Sequence, residues 1–313
     1  MIQFTDQMKK LTNLPEKFFL KGMGICVQKY HDWKKEKESV KRVIPKSHYA
    51  TEEERMRVVE FKKENMEIGY ERLTYLMIDN DVVYLSPSTV YRTLVKAGLN
   101  NRWTNPAGEP KKQGFDQPVR VHEQWHTDIS YINFKGTFVY FISVLDGYSR
   151  AILEWDIRTT MESFDVQSVL WRTCEKWLPA DFDPRIISDN GAQFLTKEYK
   201  EILKQFSITH TRTSVNHPQS NGKIERFHGT IKNESIRNIP KFTLAQLKEE
   251  VSEWIYFYNY QRLHSAIGFV APMDVINEKK ELIEKVRKIK LELAKLKRKN
   301  DNCKNHNSPE NNV

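Results

Sequence analysis

Between residues 51 and 99 the hydrophobic positions recur at helical spacing. Thr51 followed by Glu54 reads as a capping box that opens a run of helix formers ending at Asn65. After Gly69, Leu73, Leu76 and Met77 keep the period across Tyr70–Ile78. A third helix is predicted with Ser86 as N-cap, Pro87 at its first position and Gly98 as the stop beyond its end. On it Val90, Leu94 and Ala97 share one face, and Thr89, Arg92, Thr93 and Lys96 lie on others. Short helices ending in one with exposed basic and hydroxyl groups fit a helix-turn-helix, whose second helix enters a DNA major groove. Small helical domains that never touch DNA share the pattern. Upstream, Pro15–Gly22 and Ile25–Lys35 suggest another helix pair, and Asn100–Arg120, with three prolines and two glycines, reads as a linker.

The period then changes from helix to strand. Trp125–Ile132, Phe138–Leu145 and Ala151–Ile157 are successive β-rich runs joined by connections short enough for hairpins. Met161–Leu178 reads as a helix, Arg185–Ser188 as a short buried strand, Thr196–Phe206 as a helix and Ile208–Thr213 as a fifth strand. Two more helices are expected at Asn221–Ile236 and Thr243–Tyr260. The order predicts an α/β core, a five-stranded mixed sheet flanked by helices. Near the end, Leu282, Val286, Ile289, Leu293 and Leu296 repeat at the a/d spacing of a coiled coil. Contact between copies, docking on the core and a basic arm along DNA all fit that stretch. The domains expected are a helical region at 1–99, a linker at 100–120, the core at 121–276, a heptad-patterned helix at 277–300 and a disordered tail at 301–313.

Charge divides along the same lines. The net +9 is the sum of +6 over residues 1–115, −2 over 116–276 and +6 over 277–304, with Glu310 completing it. Basic flanks suit phosphates and an acidic centre suits metal ions, although solvated helical surfaces would look the same. Cys26, Cys174 and Cys303 are far apart and lack a C-x-x-C spacing, which excludes a disulfide scaffold and a thiolate zinc ribbon. Phe138–Leu145, the longest apolar run, is too short to cross a bilayer, and the first residues lack a signal-peptide layout. A soluble cytoplasmic protein is expected, nucleoid-associated when bound to DNA.

Three carboxylates fall on three different predicted elements. Asp128 lies within the first strand, Asp189 at the end of the fourth before Asn190-Gly191, and Glu225 on a helix. A carboxylate at a strand end points into the crevice where open α/β sheets bind ligands. On the helix, Ile224, Phe227, Ile231 and Ser235 make the inward stripe, and Glu225, Gly229 and Lys232 an adjacent face. Glu225 and Lys232 differ by only about 20° around the axis. Oxygen donors without a cysteine or histidine cage suit Mg²⁺ or Mn²⁺ rather than zinc. Singly, each acid is better explained as a turn former or a solvated helix residue, and it is their combination that points to a metal. Asp146, also at a strand end, is read as structural, opening the Asp-Gly-Tyr-Ser-Arg turn and pairing with Arg150.

Sixty residues separate Asp128 from Asp189 and 35 separate Asp189 from Glu225. This spacing resembles the acidic signature of retroviral-type integrase cores. The stretches WHTDISYI (125–132), YFISVLDGYSRAILEW (140–155), ISDNGAQF (187–194), HPQSNGKIERFHGTIKNE (217–234) and YNYQRLHSAIGFVAPMDV (258–275) resemble bacterial insertion-sequence transposases of the IS-three type, the product of their second reading frame. GYERLTYLM (69–77) and SPSTVYRTLVKAGL (86–99) are similar to that family's helix-turn-helix segment. The resemblance implies an RNase H-like fold, an enzyme that cuts and joins DNA, and Asp128, Asp189 and Glu225 as metal ligands, with Lys232 as the basic residue two turns on. It departs from retroviral integrases in lacking their His/Cys zinc domain.

The expected function is that of a metal-dependent polynucleotidyl transferase acting at insertion-sequence ends. Two Mg²⁺ ions are expected between the three acids, one activating water and later a DNA 3′-hydroxyl, the other stabilising the leaving oxygen. Double-stranded DNA, as terminal repeats and target, is the expected partner, with a homo-oligomer as the active complex and no membrane contact. Lys232, Lys223 and Arg226 would hold phosphates, and Thr89, Arg92 and Lys96 would contact DNA from the helix-turn-helix. Asn190, His217 and Asn221 are candidates for supporting or DNA contacts. A plain RNase H-type nuclease and a catalytically idle DNA-binding derivative are the rival readings.

Overall fold

A computed structural model describes residues 2–38, 49–100, 117–213, 221–236 and 243–306. The chain divides into two compact units, residues 1–49 with 299–313 and residues 50–298. In the first, α1 (Ile2–Thr12), α2 (Glu16–Gly22) and α3 (Val27–Glu38) bury Leu20 and Tyr30. The helix pair expected at 15–35 is therefore present. The boundary between the two units falls inside the helical region expected at 1–99. Most of the linker, residues 101–116, lies outside the described residues.

The second unit begins with α4 (Glu52–Glu64), α5 (Tyr70–Asp79) and α6 (Pro87–Lys96). Thr51 and Glu54 form the expected capping box, satisfying two backbone N–H groups that would otherwise lack partners. Val58, Leu73, Met77, Val83, Leu85, Val90 and Leu94 make the core. Gly98, at φ +70°, stops α6 by a turn that side chains disfavour. Two expectations on α6 are corrected. Thr93 is buried, its hydroxyl hidden by donation to the Thr89 carbonyl at 2.9 Å, and Ala97 is exposed because it caps the helix where the chain turns away.

The rest of this unit is built on a sheet between two helical layers. Its strands are β1 (Gln124–Phe134), β2 (Thr137–Asp146), β3 (Ile152–Arg158), β4 (Arg185–Ser188) and β5 (Thr209–Arg212), in the order β3-β2-β1-β4-β5. β1 pairs antiparallel with β2 and β2 with β3, whereas β4 runs parallel to both β1 and β5. A three-stranded meander extended by helix-connected parallel strands is the RNase H-like arrangement. α7 (Ser163–Trp177) and α8 (Lys197–Gln205) supply Val166, Val169, Leu170, Tyr199 and Leu203 to one face, against Trp125, Ile142, Val144 and Ile186. α9 (Gly222–Glu234) and α10 (Leu244–Tyr260) supply Ile224, Phe227, Ile231, Leu247 and Val251 to the other, against Ile132, Phe141, Leu145 and Ile157. The period of two along β1 puts Asp128 on the same face as Ile132, beneath α9. Asn259 of α10 closes the open edge of β3, accepting from the Ile152 N–H at 2.9 Å and donating to its carbonyl at 2.8 Å.

Past α10 the chain forms α11 (Pro272–Ile276) and then α12 (Lys280–His306), a helix that continues six residues beyond the expected end at 300. No proline or glycine occurs in Asp301–His306 to stop it. Of the readings open for it, docking is seen, but on the helical domain of α4–α6 and the 264–271 segment, largely through arginines and a lysine, with the heptad stripe left out. Arg287 donates to both Asp79 oxygens, at 2.8 and 2.5 Å, and to the Phe269 carbonyl at 2.7 Å. Lys290 donates to the Ile78 carbonyl at 3.0 Å, and Arg298 donates to Glu54 at 2.7 Å and to the Tyr84 carbonyl at 3.1 Å. Tyr75 of α5 stacks on Phe269 at 4.7 Å, with the Arg287 guanidinium 4.9 Å from its ring centre.

Candidate functional site

Asp128 is held from two sides. One carboxylate oxygen accepts from the Ile129 N–H at 2.9 Å; the other lies 3.4 Å from His228 Nδ1 on α9. Ser143 is the cross-strand partner of Asp128 on β2, and its hydroxyl is 3.0 Å from His228 Nε2. The imidazole thus lies between the Asp128 carboxylate and the Ser143 hydroxyl, one ring nitrogen toward each. Ser143 and His228 are buried, which fixes the ring and through it the carboxylate. Neither was singled out from sequence. His228 is three residues after Glu225 on one helix, and that i, i+3 spacing was the available signal.

Asp189 and Glu225 are both exposed. Asp189 Oδ1 accepts from the Gly191 N–H at 2.9 Å, the Asx-type turn its Asp-Asn-Gly context suggests. A side chain at Gly191 would meet that oxygen at 3.0 Å and the mobile end of Gln193 at 2.7 Å, so one there would crowd the Asp189 turn. The β1–β4 register runs Gln124↔Arg185 to His126↔Ile187, and two further places along it bring Asp189 level with Asp128. Adjacent strands are about 4.8 Å apart. Glu225 lies one turn before His228, on the helix that roofs Asp128, and Gly229 beside it has nothing within 4 Å of where a side chain would begin.

Among the described residues, no three His, Cys, Asp or Glu side chains stand close enough together to hold a metal ion. The sheet and α9 thus bring the three acids to one region without converging their oxygens. The Asp189 carboxylate is bonded within its own loop and Glu225 is exposed. The donors still fit a hard divalent cation, since all are carboxylates and no thiolate lies among them.

Beside the acids is a basic, partly buried cluster. Lys223 donates to Gln124 Oε1 at 3.3 Å, and burial, then the nearby Arg150 charge, pushes its pKa down to about 7. Near neutral pH its ammonium is therefore only partly protonated, and a nearby anion would favour the charged form. His126, fully buried, is pushed down to about 3, first by burial and then by Lys223. Gln124 Nε2 is buried without a hydrogen-bond partner, and the buried Asn221 side chain beside His126 favours the ring's charged form. Arg226 is exposed and donates to the Gly222 carbonyl at 2.9 Å; Lys232 is half-buried. Asn190 donates to the Thr213 carbonyl at 2.7 Å, joining the turn after β4 to the end of β5. His217 lies outside the described residues.

Asp146 is structural, as expected, but by other bonds. Its carboxylate accepts from the His122 N–H at 2.8 Å and from the Ser149 N–H and hydroxyl at 2.7 and 2.6 Å. Arg150 contributes its backbone N–H to the Asp146 carbonyl at 3.0 Å. Two short donors inside the turn satisfy the acid where the expected guanidinium would have had to fold back. On α6, Arg92 and Lys96 are exposed and Thr89 is half-buried, its hydroxyl 3.0 Å from that of Ser86. Arg92 donates to the Ser88 carbonyl at 3.1 Å.

Two families described as integrase core domain match residues 118–218 and 206–272, bracketing β1 to α11 and all three acids. A putative transposase, InsK of insertion element IS150 from Escherichia coli K12, is 24% identical over 234 residues, covering 71% of this chain and 82% of its own. Residues 118–272 thus match an integrase core, and the chain is similar to insertion-sequence transposases. A transposase of IS904 from Lactococcus lactis is 28% identical over 153 residues, covering 48% of this chain and 59% of that relative. A putative IS986/IS6110 transposase from Mycobacterium tuberculosis is 23% identical over 221 residues, covering 65% and 80%. Among solved structures, a chain of a simian T-cell lymphotropic virus intasome in complex with PP2A regulatory subunit B56 gamma aligns with a TM-score of 0.46 at 17% identity, over 70% of this chain and 73% of that one.

Proposed function

We propose that this chain is a DNA cutting-and-joining enzyme, a metal-dependent polynucleotidyl transferase that acts at the ends of an insertion sequence. What carries the reading is the placement of Asp128, Asp189 and Glu225 on β1, at the end of β4 and on the roofing helix α9, inside the stretch that matches the integrase core. Those three carboxylates would hold Mg²⁺ or Mn²⁺, in one or two ions. A bound cation supplies charge neutralisation at the phosphorus and at the oxygens entering and leaving it.

The chain's own residues prepare that chemistry. His228 and the Ile129 N–H fix Asp128. Gly229 leaves the face of α9 open to a bulky substrate, and Arg226, Lys232 and Lys223 line the approach with charge for backbone phosphates. The new P–O bond forms in line with the one that breaks, so no protein–DNA bond is required. α6 presents Arg92 and Lys96 for DNA recognition. The proposed partners are terminal-repeat and target DNA. Among the described residues no helix is long and apolar enough to cross a membrane.

The test is an assay of the purified chain on labelled terminal-repeat duplexes with Mg²⁺. The expected result is nicking at the element's end and joined product, both lost with EDTA. Nicking without joined product would leave a plain nuclease, and binding without either would leave an idle derivative.

A further inference from the structure

The heptad stripe of α12 is exposed in full. Leu282, Val286, Ile289, Leu293 and Leu296 are between 41% and 63% exposed, whereas Ile283, Arg287, Lys290, Ala294 and Arg298 make the docked face. Each docked residue except the last follows a stripe residue by one position, which on an α-helix is a rotation of about 100°. Docking therefore takes one flank of the helix and leaves the adjoining apolar stripe to solvent. Scattered exposed apolar residues need no explanation, but five in strict four-three spacing along one helix do.

We infer that this stripe is a homodimer interface, in which α12 of a second copy zips against the first. Two features favour another copy over a different occupant. An a/d stripe is self-complementary, each knob fitting the holes of an identical helix. The flanking charges are self-complementary as well. Glu292, Lys285 and Lys297 border the stripe and are exposed. In a parallel pair Glu292 of one copy meets Lys297 of the other but Lys285 meets Lys290. In an antiparallel pair Glu292 meets Lys285 on both sides and Lys290 stays paired with Asp81, so the charges favour the antiparallel pair. The stripe is short for an isolated zipper, but the Arg287, Lys290 and Arg298 contacts already hold α12 helical, so association does not bear the cost of ordering it. The interface does not depend on the three acids.

The test is the mass of the full chain, without DNA, by size-exclusion chromatography with light scattering over a range of concentrations. The wild type should be dimeric. Ile289→Lys combined with Leu293→Lys should raise the dimer dissociation constant by about 100-fold or more, while Lys288→Ala with Lys295→Ala, off the stripe, should change nothing. Hydrogen exchange of the wild-type amides at 282–296 gives a reading independent of any variant's folding, and protection should rise with protein concentration. A wild type monomeric throughout, or a double-lysine variant that still dimerises, overturns the proposal. So does concentration-independent protection in a monomer, which would mean that the chain covers its own stripe. Protection appearing only with DNA would make DNA the occupant and likewise overturn it.

Discussion

Arg287→Ala should release α12 from the helical domain. The side chain is 5% exposed and spans the docking contact, with two bonds to Asp79, one to the Phe269 carbonyl and a guanidinium over Tyr75. A hydrogen bond to a charged group contributes about 1.5–3 kcal/mol and a partly desolvated cation–π contact about 1 kcal/mol. Asp79 is 32% exposed, so water takes over part of its bonding once the arginine is gone. The net loss is then about 3 kcal/mol, the low end for breaking a buried pair. At 1.4 kcal/mol per tenfold, amides of α5 and α6 that exchange through undocking should exchange about 100-fold faster. Asp79→Asn should cost less, and the double variant less than the sum, with a coupling of about 1.5 kcal/mol or more. Native-state hydrogen exchange measures both quantities. A change under threefold in α5 and α6, or additive single variants, would refute docking by this pair.

Three further outcomes follow from the site. His228→Ala should weaken strand joining by about tenfold or more and raise the Mg²⁺ concentration needed, leaving terminal-DNA binding unchanged; His228→Gln, which keeps an N–H donor, should recover part of the loss, and equal activity in all three would remove the histidine from positioning Asp128. Stability should fall as the pH drops from about 6.5 toward 3. His126 and His264 are both held down to about 3, first by burial, so in that window the unfolded chain binds protons that the folded chain does not. His264 accepts from Arg262 at Nε2, 3.0 Å away, and His264→Gln should flatten the acid limb of the urea midpoint against pH; an unchanged slope would contradict the assignment. Arg92→Ala should lower affinity for terminal-repeat DNA and flatten its salt dependence by about one counterion, read by binding titrations across salt, and unchanged binding would remove α6 from recognition.

The sheet and its helices were legible because their signals are local. Arg185–Ser188 was readable as a strand to the residue, and the Thr51–Glu54 box and the Pro87 and Gly98 punctuation gave true helix ends. Asp128 and Asp189 could be placed because strand period and register follow from the apolar pattern. What escaped depended on pairs distant in sequence. Arg287 and Asp79 are 208 residues apart, and single charges on separate helices carry no sign of each other. Asn259, which closes the β3 edge, is one polar residue on an otherwise aromatic helix end. The heptad pattern was visible, but the docked face beside it was not, because that face is built from arginines and lysines that read as solvated surface. At the acids, sequence spacing named the residues, whereas the turned-in Asp189 carboxylate reflects local bonding to Gly191, which the spacing does not encode.

The most direct measurement compares the wild type with Asp128→Asn, Asp189→Asn and Glu225→Gln in Mg²⁺-dependent strand transfer on terminal-repeat DNA, with binding to the same DNA and thermal unfolding measured in parallel. Each amide variant should fold and bind DNA as the wild type does and yet yield no joined product. Strand transfer at near wild-type rate by any one of the three would contradict its place in the catalytic centre.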